Sequence, residues 1–134
     1  MKKHKHVVVG LSERLGENQR GVFANKLIKQ GQIIEVAPAL VIPKSQSESV
    51  EMTTLSDYVF EWGDDGESLA IALGYGSLYN HSYSPNAEYC QDFDAKLFEI
   101  TALKDIQKGE EININYNGEP EDKTPLWFET AVVP

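Results

Sequence analysis

Two segments in the last third of the chain alternate with a strict period of two. In "KLFEITAL", residues 96–103, Phe98, Ile100 and Ala102 fall on one side, with Leu97, Glu99 and Thr101 on the other. In "EININY", residues 111–116, Ile112, Ile114 and Tyr116 share a side opposite the asparagines. That period marks strands with one buried face. The turn between them, "DIQKGEEI" at 105–112, echoes "LIKQGQII" at 27–34, so one turn-to-strand chemistry is used twice. Val7–Leu11 reads as a buried first strand, Ile33–Val36 as a β-branched strand, and "ALVI" between Pro38 and Pro43 as another extended run. "PKSQSESVEMTT" at 43–54 reads as a mobile polar loop. Residues 55–62 are open between strand and helix, and "ESLAIALGYG" at 67–76 reads as a short turn or helix stopped by Gly74. Frequent glycine turns and little helix predict a compact, mostly β fold.

At 134 residues, and without an interior linker or low-complexity tract, the expectation is a single domain over residues 1–134. Acids outnumber bases 21 to 12, for a net charge of -9. A phosphate backbone or an anionic membrane surface needs clustered Lys and Arg, so this balance argues against both and favours basic partners. Cys90 is the only cysteine, which excludes an internal disulfide and a cysteine-rich zinc cluster. His4 and His6 alternate on a presumed strand but lack a third ligand, so no metal site is expected. No apolar run has the length of a signal peptide or a membrane span, and one cysteine suits a reducing compartment. A soluble protein, cytoplasmic by default, is the expectation.

The chemistry-bearing stretch is "SLYNHSYSPNAEY", residues 77–89. Alone, Asn80-His81 could simply hold a bend, since Asn and Ser side chains bond nearby backbone. Three other segments stand around it in order: "RGVFANKLIKQGQIIE" (20–35), "SDYVFEW" (56–62) and "GEEININY" (109–116). Together they resemble the SET-domain family of protein-lysine methyltransferases over about residues 5–128. Asn80-His81-Ser82 with Pro85-Asn86-Ala87 looks like that family's Asn-His-Ser-x-x-Pro-Asn motif. Gly109–Tyr116 is similar to its Gly-Glu-Glu-Ile strand ending in a tyrosine. The likeness is greatest to minimal, virus-type members without cysteine-rich flanking modules.

The resemblance implies a β-clip type fold with a C-terminal pseudoknot, and methyl transfer from S-adenosylmethionine to a lysine of a basic, histone-like or other protein. It makes Tyr116 and Tyr58 catalytic, with Tyr58 and Ile114 lining the lysine channel. It places Arg20, Gly21, Val22, Asn80, His81, Trp127 and Phe128 around the cofactor, without a metal. It also implies a homodimer, and a host nucleus or chromatin as the location of a viral or exported member. Two departures stand out. The family's Gly-x-Gly turn is Gln19-Arg20-Gly21 here, and Tyr116 is followed by Asn117 before Gly118. The first departure favours an alternative, a catalytically weak module that binds cofactor or peptide as an interaction domain; the intact Tyr116 opposes it.

Overall fold

The computed structural model describes residues 6–12, 19–64 and 66–126. Among these, nine strands form two sheets, and the only α-helix is short. The first sheet has the order β1 (Val7–Leu11), β2 (Arg20–Ala24), β9 (Glu111–Ile114), β6 (Asn80–His81). Its pairs are antiparallel except β6, which runs parallel to β9. The second sheet is antiparallel, in the order β4 (Val59–Trp62), β5 (Ser68–Ala72), β3 (Ile33–Ile42), β8 (Leu97–Ala102), β7 (Ala87–Asp92). Its two outer strands come together: the Gln91 amide donates to the Glu61 carbonyl at 2.8 Å, and the Phe60 and Tyr89 rings meet at 5.0 Å.

The two alternating segments behave as expected. Phe98, Ile100 and Ala102 on β8 and Ile112 and Ile114 on β9 are buried, each large side chain contributing about 1.5–3 kcal/mol by leaving water. The echoed turns meet each other. Ile28 and Ile106, both fully buried, exchange backbone hydrogen bonds of 2.8 and 2.7 Å as an isolated antiparallel bridge. Each is followed three residues later by a glycine with positive φ, Gly31 at 84° and Gly109 at 92°. The repeated sequence is therefore a pair of matching corners that joins the two sheets' feeder segments.

Four local expectations are corrected, and one left open is resolved. Val7–Leu11 is not a buried strand but the outer strand of its sheet, with Leu11 65% exposed. Residues 33–42 form one ten-residue strand despite Pro38. Proline lacks the N–H that a central strand must donate. Here it stands where β3 leaves β8, paired through Pro38, and takes up β5, paired from Ala39 onward. Ser68–Ala72 is a strand rather than a helix, because β3 and β4 occupy both of its edges and override its Ala and Leu propensity. Lys44–Glu51 is a helix (α1) rather than a loop. It buries no residue, and it is tied to the start of β5 by Lys44–Glu67 at 3.0 Å. Residues 55–62 divide, with a 3-10 turn at Thr54–Asp57 followed by β4.

Candidate active site

The strand β9 ends at Ile114, and Tyr116 follows two residues later, half-buried and held at three atoms. Its N–H donates to His81 Nδ1 at 3.0 Å. Its carbonyl accepts the Tyr89 hydroxyl at 3.1 Å, and its own hydroxyl donates to the Tyr79 carbonyl at 2.7 Å. Because His81 Nδ1 is an acceptor, that nitrogen carries no proton. Burial, with Glu61 nearby, pushes the Tyr89 phenol up to about 12, so it stays a neutral donor. The ring of Tyr116 lies edge-on to Phe60 at 6.2 Å and tilted to His81 at 5.2 Å. A tyrosine fixed at backbone and side chain together cannot change rotamer without breaking one of these contacts.

The Asn-His segment both holds a bend and builds the wall. Asn80 and His81 pair in parallel with Asn113 and Ile114, and Ser82 N–H extends the pairing to the Ile114 carbonyl. Asn86 then substitutes for a strand edge: its amide donates to the Glu111 carbonyl and its oxygen accepts Asn113 N–H, both at 2.9 Å. Asn80 Nδ2 donates to the Arg20 carbonyl at 2.9 Å and to Glu111 Oε2 at 2.7 Å. Glu111 Oε1 accepts the buried Ser12 hydroxyl at 2.6 Å. A four-membered chain thus ties β6, β9, the start of β2 and the residue after β1. Gly21 lies against it so closely that a Cβ would stand 2.4 Å from Glu111 Oε2.

The segment after Tyr116 returns to the same place. Asn115 Nδ2 donates to the Asp122 carbonyl at 2.7 Å, Asn117 Nδ2 to the Thr124 carbonyl at 2.9 Å, and the Tyr83 hydroxyl to Thr124 as well. The two asparagine bonds fold residues 122–124 back onto the segment that follows β9, and the Tyr83 bond packs Thr124 against the stretch that follows His81, the packing that a C-terminal pseudoknot requires.

An open cleft of about 1630 Å³ brings together Arg20, Tyr58, Asn80, His81 and Tyr116. It does not bring in every expected residue. Val22 and Ile114 are both fully buried in the core, so neither side chain lines the cleft. Extending the β9 alternation to Tyr116 put Ile114 on the tyrosine's face; instead Ile114 and Asn115 are consecutively buried because the strand has ended. Gly21 is also buried and does not line the cleft. Trp127 and Phe128, like His4, lie outside the described residues. Ile114→Tyr is therefore expected to overpack the core and lower stability by about 1–3 kcal/mol, with thermal unfolding as the measurement; an unchanged melting temperature would show that Ile114 has room toward the cleft.

Sequence reasoning missed three members of the site. Tyr79 and Tyr89 stand in the stretch that drew attention, but nothing in a row of tyrosines says which ones brace a fourth. Glu111 looked like the opening of a strand. Its spacing from Gly21 is visible only when β2 and β9 are paired, Val22 opposite Ile112.

The SET domain family matches residues 19–117 of this chain. The Schizosaccharomyces pombe protein called histone-lysine N-methyltransferase, H3 lysine-37 specific, is 34% identical over 119 residues, which are 88% of this chain and 74% of that protein. The Danio rerio protein-lysine N-trimethyltransferase SMYD5 is 33% identical over 109 residues, 76% of this chain but 25% of its own length. A crystal structure of a Plasmodium falciparum candidate histone methyltransferase superposes with a TM-score of 0.60 at 32% identity, covering 85% of this chain and 95% of that one. The Chaetomium thermophilum Polycomb Repressive Complex 2 bound to S-adenosylmethionine shares the fold, with a TM-score of 0.69 at 23% identity over 85% of this chain. With its strand pairing, its Asn-His wall and its braced tyrosine all on a matching stretch, the chain belongs to the SET-domain family of S-adenosylmethionine-dependent protein-lysine methyltransferases.

Proposed function

We propose that Tyr116 is the catalytic tyrosine of this methyltransferase and that the acceptor is a lysine in a basic segment, with histone tails the first class to test. The observation that carries this reading is a tyrosine braced at three atoms on the wall of an acidic cleft. Asp57, Glu61, Asp64, Glu88 and Glu119 line it, against Arg20 as the only Lys or Arg among its described lining residues. S-adenosylmethionine supplies an electrophilic methyl on a sulfonium. Its donor and acceptor groups fit what the chain offers: an exposed Arg20 guanidinium for a carboxylate, and β6, the outer strand of its sheet, for a heterocycle's polar edge. Asn80 serves here by holding the Arg20 carbonyl in place, since its Nδ2 already donates twice within the protein.

The acceptor amine must lose a proton first, because a free lysine has a pKa of about 10.4. Tyr58 and Phe60 give the cleft aromatic walls that tolerate a cation as methyls accumulate, and the sulfonium of a bound cofactor would disfavour the ammonium by like-charge repulsion. Donation of the Tyr116 proton to the Tyr79 carbonyl leaves the phenolic oxygen's lone pairs for the reacting centre. A histone acceptor would bring the protein to chromatin. The homodimer implied by the resemblance is a separate part of the proposal, read from the molar mass in solution.

The test is methyl transfer into a histone H3 tail peptide and into versions with flanking Lys and Arg replaced by Ser. The neutralised peptides, and the enzyme variant Glu61→Gln/Glu88→Gln with the basic peptide, are expected to raise KM about fivefold with kcat nearly unchanged. The preference should shrink in high salt. Equal KM for basic and neutralised peptides would remove the charge argument.

A further inference from the structure

Glu35 is a buried carboxylate, 4% exposed, that neither the resemblance nor the cleft accounts for. It is inside because β3 is irregular there: the register against β8 shifts between Ile33 and Glu35, so Ile34 and Glu35 are both buried where simple alternation would expose one. Such bulges re-aim a side chain, and they recur beside active sites. Glu35 points at the turn that precedes Asn80. Its Oε2 accepts Tyr75 N–H at 2.9 Å and its Oε1 accepts the Tyr79 hydroxyl at 2.8 Å. One carboxylate therefore holds both flanks of the 3-10 turn Gly76–Leu78. Tyr79 is itself 1% exposed, and burial together with the charge of Glu35 raises its phenol well above 10, so it remains a donor. The same Tyr79 offers its carbonyl to the Tyr116 hydroxyl at 2.7 Å.

We propose that Glu35 is a positioning residue for methyl transfer: by clamping Tyr75 and Tyr79 it aims the Tyr79 carbonyl at the Tyr116 hydroxyl. The inference rests on the reading of Tyr116 as catalytic. Glu35 acts through Tyr79, along a chain of two hydrogen bonds that crosses from one sheet to the other. A carboxylate is required because both of its oxygens accept; glutamine offers one acceptor and turns an N–H toward the other donor.

The experiment is a double-mutant cycle in the full chain. Glu35→Gln, and separately Tyr79→Phe, are made in the wild-type and the Tyr116→Phe backgrounds, with kcat, peptide KM, cofactor Kd and melting temperature measured for each. In the wild-type background, kcat is expected to fall about tenfold, with KM and Kd within about twofold, since a small misplacement of one reacting group is costly. In the Tyr116→Phe background the same substitutions should cost almost nothing further, because there is no hydroxyl left to aim. Tyr79→Phe, which removes a single oxygen, carries the test if Glu35→Gln does not fold. An equal fall of kcat in both backgrounds, or a fall that follows stability alone, overturns the role of Glu35 and leaves Tyr116 untouched. A wild-type rate for Tyr116→Phe alone overturns the catalytic reading and this inference with it.

Discussion

Tyr116→Phe is expected to fold, to bind S-adenosylmethionine with unchanged affinity, and to transfer methyl at least about tenfold more slowly, which is about 1.4 kcal/mol of barrier or more. The substitution removes one oxygen and the 2.7 Å bond to the Tyr79 carbonyl. It leaves the two backbone anchors, from the N–H to His81 and from Tyr89 to the carbonyl, so the ring keeps its place between Phe60 and His81. The ring supplies the packing and the hydroxyl supplies the field at the reacting centre, so the rate should fall while cofactor titration and melting temperature stay close to wild type. Single-turnover transfer with saturating peptide separates this loss from slow product release. A well-folded variant that transfers at the wild-type rate would remove Tyr116 from the chemistry.

Gly21→Ala is expected to be the most damaging single methyl group in the first sheet. A Cβ there would stand 2.4 Å from Glu111 Oε2 and 2.8 Å from Asn80 Nδ2, well inside contact distance. Neither atom is the free end of a flexible chain: the Glu111 carboxylate is held by Ser12 and Asn80, and the Asn80 amide by Glu111 and the Arg20 carbonyl. Making room breaks at least one of these bonds and strands a partly buried acceptor, a cost of about 1–3 kcal/mol. In a chain of this size that lowers the melting temperature by roughly 4–12 °C. The same displacement shifts the Arg20 carbonyl and β6, so the cofactor Kd should rise by about tenfold. Ser12→Ala is the companion measurement. It deletes one bond to Glu111 without moving Asn80, and it should lower stability while leaving cofactor affinity nearly intact. Should Gly21→Ala match wild type in both properties, the Glu111–Asn80 contact does not organise the cofactor side of the cleft.

Much of the architecture was legible along the chain because it is local. The alternation of Phe98, Ile100 and Ala102, and of Ile112 with Ile114, needs only a pleated backbone with one dry face, and all five are buried. The two echoed turns were visible as a repeat, although their mutual pairing through Ile28 and Ile106 was not. The order of the Asn-His motif, the strand ending at Tyr116 and the tyrosine-bearing segment at 56–62 was enough to assemble Tyr58, Asn80, His81, Arg20 and Tyr116 as a candidate site, and one cleft does collect them.

What the tertiary structure alone decided are choices between partners distant in sequence. Ser68–Ala72 is a strand because β3 and β4 flank it, and Pro38 is tolerated because β3 changes partner there; neither fact is written in the residues themselves. Ile114 and Val22 turned inward where cofactor and channel contacts had been expected, since burial depends on which sheet packs against a face and not on motif position. Glu35, Tyr79 and Glu111 stand within stretches that are recognisable in the sequence, but nothing in those stretches assigns the three a role. Their importance comes from bonds that span 44, 37 and 31 positions, to Tyr79, Tyr116 and Asn80. Periodicity and turn chemistry act over a few residues and so can be read from sequence, whereas a hydrogen bond between strangers in the chain exists only once the sheets have closed and shut water out of the alternative.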